Sequence, residues 1–512
     1  MTSEHVEVER KFDVDGSFVL PDPAALSDAG VASTDEPVEH ELEAVYHDTA
    51  DLRLARARIT LRRRTGGSDA GWHLKLPSAN GARRELHAPL GRAVKNPPRP
   101  LLEPVRGILR GAPTAPVATL RNRRVVTQLR DAEGRVLAEV ADDAVTASAS
   151  GPDGAADLQA WREVEVELVE GDESLLAPVG EWLAAAGARP SGSASKLARV
   201  LSARLPGPSP SRPRKSRKKA PAAGEVVLAA LGRRVRDLEA ADVGLRTEQD
   251  DSVHQLRVAA RRLRSILASF RPVLDRAVTE PVRDELSWLG TELAQARDDE
   301  VALAHLRELV AEQPPELVLG PVAARLQQAQ LRSIRGGRDR ALATLSGDRY
   351  LRLLDALHGL LDVPPFLPAA DRPAGPVLRA AVRKAGKRLR RGVTAAQHAD
   401  DDGRALALHA VRKAAKRVRY TAEVGAAERG KSGKRLVKVT KRVQKVLGEV
   451  QDTVVTREHC RQLGIAASAA GENGFTFGLL HGLEEARAVR AQAVFAAMES
   501  DLGARLRSAA RS

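Results

Sequence analysis

The chain has 512 residues, of which 43% are hydrophobic, and a formal net charge of +14. This length allows two or three domains, and the composition is ordinary for a globular protein, which excludes a disordered chain. The single cysteine, Cys460, excludes an intrachain disulfide, and no apolar run approaches the roughly 20 residues that span a bilayer. The charged opening MTSEHVEVER lacks the features of a secretory signal, so we expect a cytoplasmic protein without a membrane partner.

The charge is divided unevenly along the chain. Residues 1–205 contain 26 Lys and Arg against 31 Asp and Glu, whereas the remaining residues contain 55 basic and 36 acidic side chains. A strongly basic segment attracts polyanions such as nucleic acid, anionic lipid or polyphosphate. Only 3% of the residues are aromatic, which disfavours stacking on single-stranded bases. We therefore expect two parts with different partners.

The stretch HVEVERKF, residues 5–12, puts charged side chains on alternate positions. Because the side chains of a β-strand alternate between its two faces, Glu7, Glu9 and Lys11 share one face. That face is either solvated or holds something charged.

Further candidate strands with the same period of two follow before residue 205. They are AVYHDT, ITLRRR, GWHLKL, RRELHA, RVLAEVADDAV and WREVEVEL. In the last of these, Glu163, Glu165 and Glu167 lie opposite apolar residues, and in ITLRRR Arg62 and Arg64 share a face. Each strand taken singly is compatible with an antiparallel sheet that has a solvated outer surface. Together they favour a closed or nearly closed sheet whose charged faces point inward and bind a metal–phosphate substrate.

Residues 205–224 read LPGPSPSRPRKSRKKAPAAG, a composition that cannot sustain a helix or a strand. We predict a basic linker at 205–223, between a strand-rich domain at 1–204 and a helical domain at 224–505. The basic run from Arg212 to Lys219 is typical of a solvated spacer, and an arm that binds phosphate or nucleic acid is the alternative.

The helical part contains an internal repeat. SVHQLRVAARRLRSILASF from Ser252 matches ALHAVRKAAKRVRYTAEV from Ala407, and four polar positions recur 155 residues later. Offsets of three, seven and ten residues keep each set of four on one helix face. We predict repeats at about 224–360 and 375–505 that stack and bring two basic stripes together, although one stripe alone is typical of a solvated helix face.

Motifs of the first 204 residues resemble the CYTH domain of triphosphate tunnel metalloenzymes. They are EVERK, YHDT, LRRR, RNRR, AEVADD, EVEVEL and the late SK at residues 195–196, and they follow the family's order. The resemblance implies a multidomain α+β protein, in which an antiparallel eight-stranded tunnel precedes an all-α helical bundle. It further implies that the tunnel binds triphosphates and hydrolyses them with Mg²⁺ or Mn²⁺.

The resemblance also assigns roles to charged residues of the first domain. The residues implied in catalysis are Glu7, Glu9, Lys11, Lys75 and Glu85. Those implied to bind substrate are Lys11, Arg62, Arg64, Lys75, Arg121, Arg123 and Lys196. Those implied to bind metal are Glu7, Glu9, Glu139, Asp143, Glu163, Glu165 and Glu167. The strand register leaves two alternatives open, Arg124 in place of Arg123 and Asp142 in place of Asp143.

The two-copy pattern of residues 224–505 resembles the CHAD domain, which accompanies CYTH domains and whose family function is to bind inorganic polyphosphate. The residues implied to bind polyphosphate are His254, Arg257, Arg261, Arg264, Lys384, Lys387, Arg388, His409, Arg412, Lys416, Arg419, Lys438 and Lys441. We expect the two histidines to be structural rather than catalytic. A protein of this kind is expected in the cytoplasm, in association with polyphosphate granules.

The stretch GAAERGKS, residues 425–432, fits the phosphate-binding loop of nucleotide hydrolases. That loop works at a corner between a strand and a helix, whereas a basic helical segment precedes this copy and no βαβ pattern surrounds it. We predict a turn between two helices here.

Two classes of function remain after these steps. The first is a metal-dependent triphosphatase whose helical domain recruits phosphate polymers. The second is a non-catalytic protein that binds or localises inorganic polyphosphate. A nucleic-acid binder is the weaker third option, because no named DNA-binding module is present. Cyclisation of a nucleoside triphosphate, another activity of the CYTH family, stays open.

Overall fold

The structure is a computed structural model that describes residues 3–77, 83–91, 95–150, 156–205 and 220–511. The chain divides into two compact units, Met1–Arg214 and Lys215–Ser512. Each unit has its own buried apolar cores. The linker predicted at 205–223 falls largely on residues 206–219, outside the described residues.

The first unit is built on one antiparallel sheet. Its strands are β1 (Ser3–Glu7), β2 (Glu9–Val14), β3 (Ser33–Thr34), β4 (Val38–Asp48), β5 (Thr60–Thr65), β6 (Gly71–Pro77), β7 (Arg83–Ala88), β8 (Ala115–Arg130), β9 (Val136–Ser150), β10 (Ala156–Leu168) and β11 (Arg189–Pro190). The strand order is β1-β7-β6-β5-β4-β8-β9-β10-β2-β11, and β3 pairs with β8. Only Val8 separates β1 from β2, so the sheet closes into a ring, with β1 paired to β7 and β2 paired to β10.

The predicted fold, an antiparallel sheet domain followed by a helical domain, is confirmed, but the predicted number of eight strands is wrong. The described residues form eleven strands, because Val8 interrupts the first strand and two strands of two residues, β3 and β11, pair with β8 and β2. The Val8 carbonyl accepts a hydrogen bond from the Leu168 N–H at 3.0 Å. The wall of the ring therefore remains hydrogen-bonded across the interruption.

A short helix covers one apolar outer face of the ring. The helices of this unit are α1 (Arg53–Arg56), α2 (Arg99–Leu102), α3 (Arg106–Leu109), α4 (Leu176–Ala185) and α5 (Lys196–Val200). Val164 and Val166 of β10 are buried with Val179 and Leu183 of α4. Because the side chains of β10 alternate, this packing turns the intervening glutamates toward the inside of the ring.

An apolar cluster and a capped helix hold one end of the ring. Tyr46 of β4 and Leu120 of β8 pack with Leu197 of α5. The Ser195 hydroxyl caps α5 by accepting a hydrogen bond from the Ala198 N–H at 3.1 Å. This anchoring fixes the position of Lys196, the first residue of the helix.

The second unit is helical. Its helices are α6 (Ala223–Arg246), α7 (Ser252–Ser269), α8 (Arg276–Glu292), α9 (Ala294–Ala311), α10 (Val322–Ser346), α11 (Asp348–Asp362), α12 (Ala374–Gln397), α13 (Asp401–Val424), α14 (Ala426–Ala469) and α15 (Phe475–Arg511). Carboxylates cap some of them, since Asp275 accepts from the Ala277 N–H before α8 and Asp400 accepts from the Gly403 N–H before α13.

The two helices that carry the repeated motif, α7 and α13, lie against each other. The hydroxyls of Ser269 and Thr421 are hydrogen-bonded at 2.7 Å, and Nε of Arg261 donates to the Tyr420 hydroxyl at 3.4 Å. The two stripes of the internal repeat therefore meet within one unit.

The GAAERGKS stretch lies at a junction between helices. Gly425 separates α13 from α14, and the residues that follow it belong to α14. The strand that a nucleotide-binding loop requires is replaced by α13. Within the described residues, no helix is both long enough and apolar enough to cross a membrane.

Candidate functional site

The ring of strands encloses a cavity of about 660 Å³. Most of the charged residues predicted for the first domain line it, namely Glu7, Glu9, Lys11, Arg62, Arg64, Lys75, Glu85, Glu139, Glu165, Glu167 and Lys196. Two more of the predicted residues, Asp143 and Glu163, are buried directly behind Lys196. The strands thus concentrate charges of both signs in one enclosed space.

The face predicted for the first strand is the face that lines the cavity. Nζ of Lys11 lies 2.8 Å from Oε2 of Glu9, and it also pairs with Glu165 across the β2–β10 ladder. Burial alone would lower the pKa of Lys11, but the neighbouring carboxylates outweigh it and raise the pKa. Burial would likewise raise the pKa of Glu165, yet Lys11 and Lys196 hold it well below its usual range.

A second group of ion pairs centres on Lys75 of β6. Nζ of Lys75 lies 2.6 Å from Oε1 of Glu7 and 3.1 Å from Oε2 of Glu85. Burial, together with the hydrogen bond to Glu85, raises the pKa of Glu7 to about 8. Burial would raise the pKa of Glu85 too, but hydrogen bonds from His73 and Glu7 lower it. At neutral pH the pair Glu7–Glu85 therefore retains a proton between two carboxyl groups.

Two arginines of β5 project into the same cavity. Arg64 pairs with Asp69 at 2.5 Å, and NH2 of Arg62 lies 3.9 Å from Oε1 of Glu85. Tyr46, which the sequence analysis did not select, lines the cavity beside Arg62. Burial would raise the pKa of Tyr46, but the Arg62 guanidinium and the nearby lysines lower it. Tyr46 begins the stretch YHDT, and alternation along that strand would have indicated its inward position.

Lys196 binds three buried carboxylates at once. Its Nζ lies 2.8 Å from Asp143, 2.7 Å from Glu163 and 2.7 Å from Glu165. Despite burial, these carboxylates raise the pKa of Lys196 well above its ordinary value. An ammonium group thus occupies the centre of this acidic cluster.

The structure corrects the predicted register of β8. The side chains of Arg121 and Arg123 are 76% and 57% exposed, and they pair with carboxylates of β4 on the outer face of the sheet. The side chain of Arg124 is only 18% exposed and lies 2.6 Å from Asp143. The expected inward position of Arg121 and Arg123 is wrong, and Arg124 takes it. Alternation along β8 then puts Asn122 on the inward face as well.

On β9, Asp143 is the residue that faces the inside of the ring. Asp143 is buried and receives hydrogen bonds from Arg124 and from Asn122, the latter at 2.9 Å. Asp142 faces the other way and pairs with Arg162 at 2.6 Å. The register therefore places Asp143, rather than Asp142, in the cluster around Lys196.

The donor set of the cavity fits a hard divalent cation. Glu7, Glu9, Glu165 and Glu167 all line it and offer carboxylate oxygens, which Mg²⁺ and Mn²⁺ prefer. Burial raises the pKa of Glu167, and the charges of Glu9 and Glu165 raise it further. This crowding of carboxylates is relieved by an added positive charge.

The second acidic cluster is already neutralised. Asp143, Glu163 and Glu165 each place one oxygen within 4.8 Å of the others, a geometry that could hold a metal ion. The ammonium of Lys196 contacts all three of them. The two donor sets share Glu165, but Glu7, Glu9 and Glu167 lie outside the contacts of Lys196, so the set around Glu7 and Glu167 fits a metal better.

The helical unit encloses a separate cavity of about 630 Å³. Among the described residues that line it there is no Asp or Glu. The residues predicted to bind polyphosphate that line it are Arg261, Arg264, Arg388, His409, Arg412 and Lys416. Helices α7 and α13 thus bring basic residues of the two stripes to one space, as the repeat predicted, and α12 adds Arg388.

Basic residues of this cavity that lie outside the predicted polyphosphate-binding set are Arg283, Arg391, Lys413 and Arg417. Arg283 lies on α8, outside the repeated motif. Lys413 and Arg417 sit one residue beyond Arg412 and Lys416, so a simple stripe on α13 misses them. Only the packing of the helices reveals these contributions.

The other residues predicted to bind polyphosphate do not line this cavity. His254 lies at a separate pocket near the start of α7, and NH1 of Arg257 donates to the Ala294 carbonyl at 3.1 Å. Arg419 pairs with Glu423 at 3.1 Å. Lys384, Lys387, Lys438 and Lys441 are exposed on α12 and α14. His409 bonds Gln451 at 2.7 Å through Nδ1, consistent with a structural role.

The cations of the basic cavity lie close together and repel one another, which has an electrostatic cost. Burial and the adjacent guanidiniums lower the pKa of Lys416 to about 7. The pKa of Arg264 and that of Arg417 are lowered by the same two causes, with Arg283 among the neighbours of both. An anion in this space would relieve the mutual repulsion.

Two family models match the chain, one for each unit. The model of the CYTH domain matches residues 5–200, and that of the CHAD domain matches residues 229–461. A protein of Mycobacterium tuberculosis strain H37Rv, described as uncharacterized, is 40% identical over 490 residues, which cover 94% of this chain and 93% of the relative.

Two solved structures resemble parts of the chain. PptA from Streptomyces chartreusis is 21% identical, with a TM-score of 0.44, and the match covers 57% of this chain and all of that one. The CHAD domain from the plant Ricinus communis is 26% identical, with a TM-score of 0.42, and the match covers 60% of this chain and 98% of that one.

Proposed function

The chain belongs to the proteins in which a CYTH domain is followed by a CHAD domain, and from that premise we propose that it hydrolyses a triphosphate in its first domain and binds inorganic polyphosphate in its second. The substrate is inorganic triphosphate or a triphosphorylated small molecule. The observation that carries the proposal is the enclosed cavity of the first domain, where cations and carboxylates from most strands of the ring converge.

Six cations of this cavity suit a substrate with several phosphoryl groups. They are Lys11, Arg62, Arg64, Lys75, Arg124 and Lys196. Arginine offers a planar fork for phosphate oxygens, and lysine offers a compact charge. Each of the six pairs with a carboxylate, so a bound triphosphate exchanges these internal ion pairs for phosphate contacts.

Glu7, Glu9, Glu165 and Glu167 would hold the divalent cation, Mg²⁺ or Mn²⁺. When bound, that cation supplies a Lewis acid that neutralises charge on phosphate oxygens. Lys75 and Lys11, which pair with Glu7 and Glu9, donate hydrogen bonds to the same phosphoryl groups. Binding and charge stabilisation account for most of the catalysis of phosphoryl transfer.

Glu85 orients the attacking water. Its pKa is lowered by hydrogen bonds from His73 and Glu7, so it is ionised at neutral pH and accepts a hydrogen bond from water. Lys75, at 3.1 Å from Glu85, holds that carboxylate in place. Glu85 and Lys75 line the same cavity as the phosphate-binding cations, so a water molecule held by Glu85 can attack a phosphorus atom of the bound substrate.

The helical domain binds longer chains of phosphate. Its cavity is lined by basic residues of α7, α8, α12 and α13, and the described lining contains no carboxylate, so an anion meets attraction from every side. Polyphosphate supplies the repeated negative charges that such a surface neutralises. We expect the protein at cytoplasmic polyphosphate granules.

A phosphate-release panel tests the enzymatic half of the proposal. The full chain is incubated with tripolyphosphate, ATP, thiamine triphosphate or long-chain polyphosphate, each with Mg²⁺, with Mn²⁺ or with a chelator. We expect metal-dependent release of phosphate from at least one of the triphosphates. Absence of release from all of them would favour the alternative, a non-catalytic protein that binds or localises polyphosphate, and formation of a cyclic nucleotide from ATP would point to a cyclase.

A further inference from the structure

Lys416 holds an unusual position in the basic cavity of the helical domain. The charged groups with the largest effect on it are Arg412 and Arg419 of its own helix and Arg257 and Arg261 of α7. Burial and these four cations lower its pKa to about 7, whereas an ordinary lysine titrates near 10.4. A large fraction of Lys416 is therefore an uncharged, nucleophilic amine at neutral pH.

The cavity around this amine is built to receive phosphoryl groups. The guanidiniums of Arg261, Arg264, Arg388 and Arg412 line its wall, and the described lining contains no Asp or Glu. Its volume of about 630 Å³ admits small phosphorylated molecules as well as a polymer. A small molecule held here by its phosphoryl group lies next to the amine.

We propose that Lys416 is acylated by acyl phosphates, which bind through their phosphoryl group to the arginines of this cavity, and that the resulting amide closes the cavity to polyphosphate. An acyl phosphate is the fitting chemical class because it joins an anionic phosphoryl group to an electrophilic carbonyl. The second half of the inference rests on the proposed polyphosphate binding, whereas the acylation itself does not.

The reaction consumes nothing beyond the amine and the acyl phosphate. The lone pair of Nζ attacks the carbonyl carbon, a C–N bond forms, and the C–O bond to the phosphoryl group breaks. Inorganic phosphate leaves with that electron pair, and the proton released from nitrogen passes to the phosphate or to water. Arg261 and Arg412, on opposite helices, stabilise the charge that develops on the leaving phosphate.

The amide changes the cavity in two ways. A bound polyanion favours the protonated form of Lys416, so the free amine regains its charge on binding. The amide cannot be protonated, so this charge is lost. It also adds an acyl group to a partly buried position between α7 and α13. Both changes weaken the binding of polyphosphate.

The first test measures where acetyl phosphate reacts on the full chain at pH 7.5. Site-resolved mass spectrometry follows the acetylation of Lys416, of Lys413 on the same helix and cavity, and of exposed Lys438. We expect Lys416 to react at least about tenfold faster than the other two, because more of it is deprotonated and it lies among phosphate-binding arginines. Equal rates at the three lysines would overturn the acylation.

Two further experiments test whether recognition of the phosphoryl group directs the acylation to Lys416. Arg412→Ala should slow the acetylation of Lys416 by acetyl phosphate about tenfold, and saturating tripolyphosphate should protect Lys416 in the wild-type protein. N-acetylimidazole, which carries no phosphoryl group, should be slowed much less by either change, because it senses only the rise in the pKa of Lys416. If both reagents respond alike, the amine is merely reactive and the proposed recognition of acyl phosphates is wrong.

The second test measures the affinity for long-chain polyphosphate before and after treatment with acetyl phosphate. We expect at least a tenfold loss in the wild-type protein and no treatment-dependent change in Lys416→Arg, whose guanidinium is not acylated. An acetylated wild-type protein that binds as tightly as before would overturn the second half of the inference. If the untreated protein binds no polyphosphate, the proposed function of this domain fails, while the mass spectra still decide the acylation.

Discussion

The two cavities of this protein differ in how they manage positive charge. In the first domain the cations that line the cavity each contact a carboxylate, and the pKa values of Lys11 and Lys196 are raised as a result. In the helical domain the described lining contains no carboxylate, and the pKa of Lys416 falls to about 7. Mixed charge can hold a metal together with an anionic substrate, whereas charge of a single sign attracts an anion but offers no ligand for a cation. The contrast supports the proposed hydrolysis of a triphosphate in the first domain and the proposed binding of polyphosphate in the second.

The largest expected effect tests the acidic side of this contrast. Glu7→Gln keeps the volume of the side chain but removes a carboxyl group that gives up its proton to ligate the cation, so triphosphate hydrolysis should fall by about two to three orders of magnitude. Glu43→Gln is the matched control, because Glu43 pairs with Arg121 on the outer face of the sheet. A phosphate-release assay with both variants checks this, with circular dichroism to verify folding. Equal losses in the two variants would contradict the metal assignment.

The next effect tests the single-sign cavity. Reversal of charge at Arg261, Arg412 and Lys416 together should weaken the binding of long polyphosphate by more than about 100-fold, since three favourable charges become three repulsive ones. Calorimetry over a series of salt concentrations measures it, and the wild-type affinity should fall steeply with salt.

The control for that variant carries the same change of charge elsewhere. Arg332, Arg335 and Arg340 are exposed on α10, away from the described lining of the cavity. Their reversal to glutamate should lower the affinity by less than about fivefold, through long-range electrostatics alone. Similar losses in both triple variants would show that net charge, rather than the cavity, binds polyphosphate.

A smaller effect separates the two faces of β8. Arg124→Ala should lower kcat/KM for the triphosphate about 10- to 100-fold, because it removes a charge-assisted contact inside the ring. Arg123→Ala, one residue away on the same strand, removes only an exposed pair with Glu39 and should leave kcat/KM within about twofold. Steady-state kinetics on the two variants test the register directly, and the reverse order of effects would refute it.

The smallest effect concerns pH. The folded pKa of Lys416 is depressed to about 7, so the side chain gains its charge as the pH falls through 7. The affinity of wild-type protein for polyphosphate should therefore rise a few-fold from pH 8 to pH 6, and in Lys416→Met this rise should be smaller. The same shift costs folded-state stability in full below about pH 7, and this cost disappears as the pH rises from 7 to about 10.4, where the unfolded chain binds the extra proton. Binding curves for both proteins at the two pH values check the sign, and identical slopes would contradict it.

Local alternation predicted the walls of the first cavity where it was unambiguous. The period of two in EVERK and EVEVEL puts all the carboxylates of each stretch on one face, and Glu7, Glu9, Lys11, Glu165 and Glu167 all line the cavity. In RNRR, arginine occurs on both faces of the strand, so alternation alone does not decide between them. The choice depends on β4, whose Glu39 and Glu43 pair with Arg123 and Arg121 on the outside.

The helical cavity shows the corresponding limit for helices. The repeat predicted which faces of α7 and α13 are basic, and Arg261 and Arg412 meet in one space. The part played by Arg283 depends on how α8 packs against α7, which no local pattern encodes. The exposed positions of Lys438 and Lys441 follow from the same tertiary packing.

The most direct test of the account is phosphate release from tripolyphosphate with Mg²⁺ or Mn²⁺, measured on three full-length proteins side by side: wild type, Glu7→Gln and the triple reversal at Arg261, Arg412 and Lys416. We predict metal-dependent release by the wild type, release reduced by about two to three orders of magnitude in Glu7→Gln, and release within about twofold of wild type in the triple reversal. Wild-type rates in Glu7→Gln, or loss of release in a folded triple reversal, would contradict the division into a catalytic cavity and a binding cavity.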